Sequence, residues 1–207
     1  MGCEIGRGKE GIELGWMEEE IRGQLEEGIE LRRRVLEGMV DQIAEAARMI
    51  VESLRNGGKV ILFGNGGSAA DAQHIAAEMV GRFRMERNPL PAIALNVNTS
   101  IITAIGNDYD FSLIFSRQVE ALTRRGDVAV GISTSGNSLN VIYALKRASE
   151  LGAKTIALTG GTGGTLASVA DLALIVPSSD TARIQEIHIT IGHIICDLVE
   201  KELFGGR

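Results

Sequence analysis

The chain has 207 residues, 44% of them hydrophobic and 23% charged, with a formal net charge of −6. That length holds one sizeable α/β domain around a single core, and an acidic chain with no basic field argues against nucleic-acid binding by phosphate neutralisation. Cys3 and Cys196 have neither metal-ligand spacing nor a disulfide framework. No apolar run approaches the 18 residues of a membrane span, and the opening Met1-Gly2-Cys3-Glu4 carries no secretory signal, so a cytoplasmic protein is expected.

Residues 1–16 contain five glycines and no periodicity, and are expected to be a flexible tail. Residues 17–57 read as helical. Ile21, Leu25, Ile29, Leu31, Val35, Met39, Val40, Ile43, Ala47 and Ile50 recur near helical spacing, with a break expected at 36–40. The Arg32-Arg33-Arg34 run reads as a solvated face. So long an amphipathic segment needs a partner surface, and a second subunit is the expected one.

From Asn56-Gly57-Gly58 the pattern changes, and 58–207 reads as one α/β unit. Candidate strands are Lys59–Phe63, Ala92–Asn96, Asp127–Ser133, Lys154–Thr159 and Leu172–Val176. Helical stretches fall at 68–82, 100–123, 138–151, 164–169 and 181–203. Continuous apolar strands alternating with helices predict a doubly wound, five-stranded parallel sheet covered on both faces. Ligands in such sheets bind beyond the carboxyl ends of the strands, so the loops after the strands are the places to look. The 26 glycines, against three prolines, suggest several tight loops where backbone must approach something closely.

The first such loop is Gly64-Asn65-Gly66-Gly67-Ser68. Its glycines allow a sharp turn and expose N–H groups at a helix start, suited to an anion or a sugar hydroxyl. The segment also fits a loose dinucleotide pattern, but the second strand runs out in Leu95-Asn96-Val97-Asn98, with no acid to hold a ribose. After the third strand comes Ser133-Thr134-Ser135-Gly136-Asn137-Ser138. One N-cap serine accounts for one hydroxyl of the four. Together with a helix N-terminus they suit a phosphate monoester. Gly160-Gly161-Thr162-Gly163-Gly164-Thr165, after the fourth strand, reads equally as a ligand loop or a plain turn.

His74 and Glu78 stand four apart on the helix that the glycine loop opens, hence on one face. Gln185 and His193 stand eight apart on the last helix, which also carries His188. Facing pairs of this kind suit zinc or a similar divalent ion, and the same Glu and His suit proton transfer at a sugar carbon. Periodicity leaves open whether His188 or His193 faces the site, and a surface ion pair or an interface histidine is the plain alternative.

Taken together, Gly64–Ser68, Asp71-Ala72-Gln73-His74 with Glu78, Ser133–Ser138, and Arg183-Ile184-Gln185-Glu186-Ile187-His188 with His193 resemble the sugar isomerase (SIS) family, and within it the phosphoheptose isomerases. The resemblance covers about residues 20–203. It implies a helical N-terminal segment, a five-stranded parallel sheet and a homotetramer with active sites between subunits. It implies that Asn65, Gly66, Gly67 and Ser68 meet the sugar, that Ser133, Thr134, Ser135 and Ser138 hold its phosphate, and that Asn107 and Asp108 add a further substrate contact. It implies Glu78 and His193 as the acid/base pair and one Zn2+ per subunit on His74, Glu78, Gln185 and His193. The implied reaction is the conversion of sedoheptulose 7-phosphate to D-glycero-D-manno-heptose 7-phosphate through an enediol, feeding precursors of cell-surface polysaccharide such as lipopolysaccharide. Ala69-Ala70 departs from relatives that carry His-Cys there, and the N-terminal tail has no counterpart. Two other readings stand beside this one: an isomerase of another sugar phosphate, and a non-catalytic adaptor of the kind that associates with the bacterial replication initiator, which has no need of the His and Glu pairs.

Overall fold

The computed structural model describes residues 10–205. Two helices come first, α1 (Glu10–Gly38) and α2 (Val40–Arg55), and the chain breaks between them at Met39, inside the expected window. α1 begins seven residues before the expected Met17, so part of the segment read as a tail is helix; residues 1–9 lie outside the described residues.

Next come β1 (Val60–Gly64), α3 (Gly67–Val80), β2 (Ala92–Ala94) and α4 (Thr99–Asp108). After them follow α5 (Ser116–Leu122), β3 (Val128–Ile132), α6 (Leu139–Glu150), β4 (Lys154–Gly160), α7 (Gly164–Val169), β5 (Leu172–Val176) and α8 (Thr181–Phe204). The single helix expected over 100–123 is two helices joined by a 3-10 turn at Phe111–Leu113. The polar run Gly106-Asn107-Asp108-Tyr109-Asp110 has low helix propensity. Asp110, in extended conformation, accepts a hydrogen bond from the Ser112 N–H and so caps the 3-10 turn in place of a continuing helix.

All five strands are parallel, in the order β2-β1-β3-β4-β5. Side chains alternate between the faces with period two. Val60 and Leu62 of β1 point into a core built with α2, α3 and α8, and Ile61 and Phe63 point into a second core with α6 and α7. Both faces are therefore covered, which is why the strands read as unbroken apolar runs. The order reverses between β1 and β3, and in such sheets the binding crevice opens there, above the carboxyl ends. The glycine loop leaves β1 and the serine loop leaves β3, so both border this crevice.

Candidate active site

The glycine loop is shaped by close approaches. A Cβ on Gly64 would lie 2.9 Å from the Ile132 carbonyl and from Ser68, and one on Gly67 would lie 2.6 Å from the Gln185 Oε1. Gly66 has φ +56°, the left-handed region. The bare backbone at Gly67 thus lets the Gln185 amide of α8 rest against the first turn of α3. Asn65 and Asn140 exchange reciprocal amide hydrogen bonds, each 2.9 Å. This bridge ties the glycine loop to the first turn of α6 across the crevice. Asn96 donates to the Gly64 carbonyl at 2.7 Å, so the residue where a dinucleotide site needs an acid instead fastens the turn.

In the serine loop, the Ser133 and Ser138 hydroxyls lie 3.0 Å apart. Ser138 occupies the N-cap of α6, yet its side chain makes no capping hydrogen bond. The first-turn N–H groups of α6 thus stay free of a side-chain cap, and the hydroxyl points to Ser133 instead. Ser135 Oγ accepts from the Asn137 N–H at 3.2 Å, and the Thr134 carbonyl accepts from Gly160.

The glycine loop after β4 supports this arrangement from below. A Cβ at Gly136 (φ +66°) would fall 2.0 Å from the Gly163 carbonyl, and one at Gly164 (φ +55°) 2.6 Å from the Ser135 carbonyl. Asn137 Oδ1 accepts from both the N–H and the hydroxyl of Thr165. Through these contacts Gly160–Thr165 braces the serine loop.

At the other side of the glycine loop, α3 and α8 bring three side chains together. His74 Nε2 lies 3.1 Å from Glu78 Oε1 and 3.3 Å from His193 Nε2. One ligand atom from each of the three can be chosen so that all lie within 4.8 Å of one another. Two imidazole nitrogens and a carboxylate oxygen converging on one point form a donor set fit for zinc or a similar divalent ion. Phe83 stacks on the His193 ring, with centroids 5.6 Å apart.

The two late histidines differ in their partners. His188 is fully buried and its Nε2 lies 3.1 Å from the Thr159 carbonyl of β4. A carbonyl only accepts, so Nε2 carries the proton. Burial pushes its pKa down to about 4, against the pull of that hydrogen bond, and the ring is neutral. His193 alone of the two reaches His74. Asn107 and Asp108 lie exposed at the end of α4, where Asn107 donates to Asp108. Among the described residues they make no hydrogen bond or ion pair with the serine loop or the imidazole cluster.

The SIS domain family matches residues 25–160, well over half of the chain. The chain belongs to the SIS domain family. Within it, the chain is 58% identical over 185 residues to the phosphoheptose isomerase of Aquifex aeolicus, covering 89% of this chain and 97% of that protein. It is 60% identical over 188 residues to the phosphoheptose isomerase of Geobacter sp. strain M21, covering 91% and 98%. The solved phosphoheptose isomerase structure from Neisseria gonorrhoeae superposes with a TM-score of 0.85 at 47% identity, covering 89% of this chain and 99% of that one. Likeness of this extent makes the chain an isomerase enzyme of that SIS branch.

Several residues of this SIS site escaped the sequence reading. Asn140 and Phe83 join it only through partners distant in sequence, Asn65 and His193. Asp71 stands one turn before His74; burial raises its pKa to about 6, partly offset by His74, and its Oδ2 is buried without a partner among the described residues. Its position within Asp71-Ala72-Gln73-His74, at the i,i+3 spacing, was the available signal.

Proposed function

We propose that the chain converts sedoheptulose 7-phosphate to D-glycero-D-manno-heptose 7-phosphate by aldose–ketose isomerisation, supplying precursors for cell-surface polysaccharide. The observation that carries this is the meeting of His74, Glu78 and His193 across α3 and α8, beside two loops equipped for a sugar phosphate. High identity to phosphoheptose isomerases over nearly the whole chain supports the same substrate. An adaptor that only binds a partner protein has no use for this cluster, and the cluster and the relatives together favour the enzyme.

The phosphate is held by Ser133, Thr134, Ser135 and Ser138 with the uncapped N–H groups of α6, which give directional donors without a cation. Asn65, Gly66, Gly67 and Ser68 lie along the sugar chain, with Gln185 resting on their turn, and Asn107 and Asp108 complete the substrate contacts. Glu78 takes the proton from carbon 1. Its Oε1 faces His74 and its other oxygen makes no hydrogen bond among the described residues, so one carboxylate oxygen remains for that proton. His193 moves protons at the oxygens of carbons 1 and 2, the enediol forms, and the proton returns at carbon 2. His74, Glu78, Gln185 and His193 are the residues that would hold one Zn2+. When bound it supplies positive charge close to the enediol oxygens, where negative charge develops.

A homotetramer accompanies this reading. Met17, Ile21, Leu25 and Ile29 repeat every four residues along α1, and all four are exposed in the single chain, as is Trp16. Such a stripe fits burial against other copies. A cytoplasmic setting is proposed with it; no helix among the described residues is long and apolar enough to cross a membrane.

The test is incubation of zinc-loaded protein with sedoheptulose 7-phosphate in deuterated water, followed by NMR. Aldoheptose phosphate carrying deuterium at carbon 2 is the expected product. Product without the label still reports isomerisation, with the proton shielded during transfer. Unchanged substrate defeats the heptose assignment.

A further inference from the structure

The end of α3 is fastened by a buried ion pair that neither the phosphate loop nor the imidazole cluster contains. The side chains of Arg87 and Glu200 are each 2% exposed, and Arg87 Nε lies 3.8 Å from Glu200 Oε1. Arg87 donates from Nη2 to the carbonyl of Glu78 at 2.9 Å and from Nη1 to that of Met79 at 2.8 Å. These are carbonyls of the last turn of α3, which have no partner within the helix. One of them belongs to the residue read as the base. Glu200, on α8, accepts the N–H groups of Arg84 and Met85. It stands two turns after His193 on the same helix. Between these anchors the chain places Phe83 against the His193 ring.

We propose that Arg87, held by Glu200, is a positioning residue of the isomerase: the pair locks the end of α3 onto α8 and so sets the placement of Glu78 relative to His193. The inference rests on the acid/base reading of those two residues. Glu78 and His193 sit on different helices, and besides the His74–His193 contact and the Gln185 amide at Gly67, α3 and α8 meet through apolar packing, as where Ile75 packs on Gly192. Apolar packing tolerates small sliding, whereas a buried charged pair with directional hydrogen bonds to the backbone does not. Displacement by about 1 Å is enough to cost about 100-fold in rate.

A purely structural pair would lower stability and leave turnover per folded molecule intact. Arg87→Met, Arg87→Lys and Glu200→Gln proteins are therefore compared in thermal stability, kcat and KM for sedoheptulose 7-phosphate, and zinc affinity of the metal-free protein by competition with a chelator. In Arg87→Met and Glu200→Gln, kcat is expected to fall about 10- to 100-fold and zinc affinity about tenfold. KM is expected to stay within about twofold, because the serine loop is untouched. Arg87→Lys keeps the charge opposite Glu200 and recovers part of kcat. Folded Arg87→Met or Glu200→Gln protein with wild-type kcat and zinc affinity overturns the proposal. If neither folds, Arg87→Lys decides, with wild-type kcat and zinc affinity again overturning it. Wild type inert toward sedoheptulose 7-phosphate defeats the substrate reading instead, and the zinc titration of the variants still decides the role of Arg87.

Discussion

His193 Nε2 lies 3.3 Å from His74 Nε2, although the two residues are 119 positions apart in the chain. Two ring nitrogens this close cannot both carry a proton toward each other. They are compatible with one shared proton or with one shared cation. With Glu78 Oε1 3.1 Å from His74 on the same side, the three groups together form a candidate metal site.

Removal of a ligand should therefore separate from removal of the base. His74→Ala is expected to weaken zinc binding at least about tenfold with little change in melting temperature, since His74 is exposed. Glu78→Gln keeps an oxygen donor and lacks the base, so it should retain bound zinc while kcat falls by about 100-fold or more. Metal content and turnover measured on the same samples check this. Loss of both properties in equal measure in Glu78→Gln would remove the distinct role of its carboxylate in proton transfer.

In the serine loop, the Ser133 and Ser138 hydroxyls lie 3.0 Å apart, and both belong to the proposed phosphate site. A hydrogen bond to a charged group is worth about 1.5–3 kcal/mol. Ser138→Ala is thus expected to raise KM about tenfold or more, and to weaken competitive inhibition by inorganic phosphate in parallel. Because Ser138 caps nothing with its side chain, the melting temperature should scarcely move. A large loss of stability with unchanged KM would assign it to the fold instead.

Gly136 is a position where only glycine fits. Its φ is +66°, and a Cβ would stand 2.0 Å from the Gly163 carbonyl, a backbone atom that cannot swing aside. Gly136→Ala is expected to destabilise the chain by at least about 1–3 kcal/mol from backbone strain alone, and to raise KM by displacing the serine loop. Urea unfolding beside steady-state kinetics checks both, and an unaltered midpoint counts against the clash.

How far the sequence discloses this site follows from the range of its interactions. The strands were legible because both faces are buried and the runs stay apolar. The serine loop and the His74/Glu78 pair were legible because each lies within one stretch of chain. The choice between His188 and His193 was not, since the two are five residues apart on one helix and differ in whether Thr159 or His74 meets them. The Asn65–Asn140 bridge and the Arg87–Glu200 pair depend on contacts 75 and 113 positions apart, which no local pattern encodes. The split of 100–123 was a turn signal passed over: the Asn107–Asp110 run could have been read as a break.

The stripe of Met17, Ile21, Leu25 and Ile29 is exposed in the isolated chain and predicts assembly. Ile21→Glu combined with Leu25→Glu should shift the particle from tetramer toward smaller species in sedimentation velocity. If active sites are completed between subunits, specific activity falls with it. A wild type that sediments as a monomer overturns the assembly reading outright.

His188 gives the chain an acid-sensitive component of stability. Its pKa is about 4 when folded, against an ordinary 6.5, because the buried ring resists charging. Between those values the unfolded chain binds more protons than the folded one, so stability declines as the pH falls from about 6.5 to about 4, and levels off below. At about 1.36 kcal/mol per unit, the component reaches at most about 3 kcal/mol. His188→Gln has no such proton to take up, and Asp71, whose raised pKa acts in the opposite sense, is common to both proteins. The difference in unfolding free energy between wild type and variant should therefore shrink steadily from pH 7 to pH 4. Urea midpoints across that range test it: parallel curves would mean that His188 takes up a proton in the folded chain as easily as in the unfolded one.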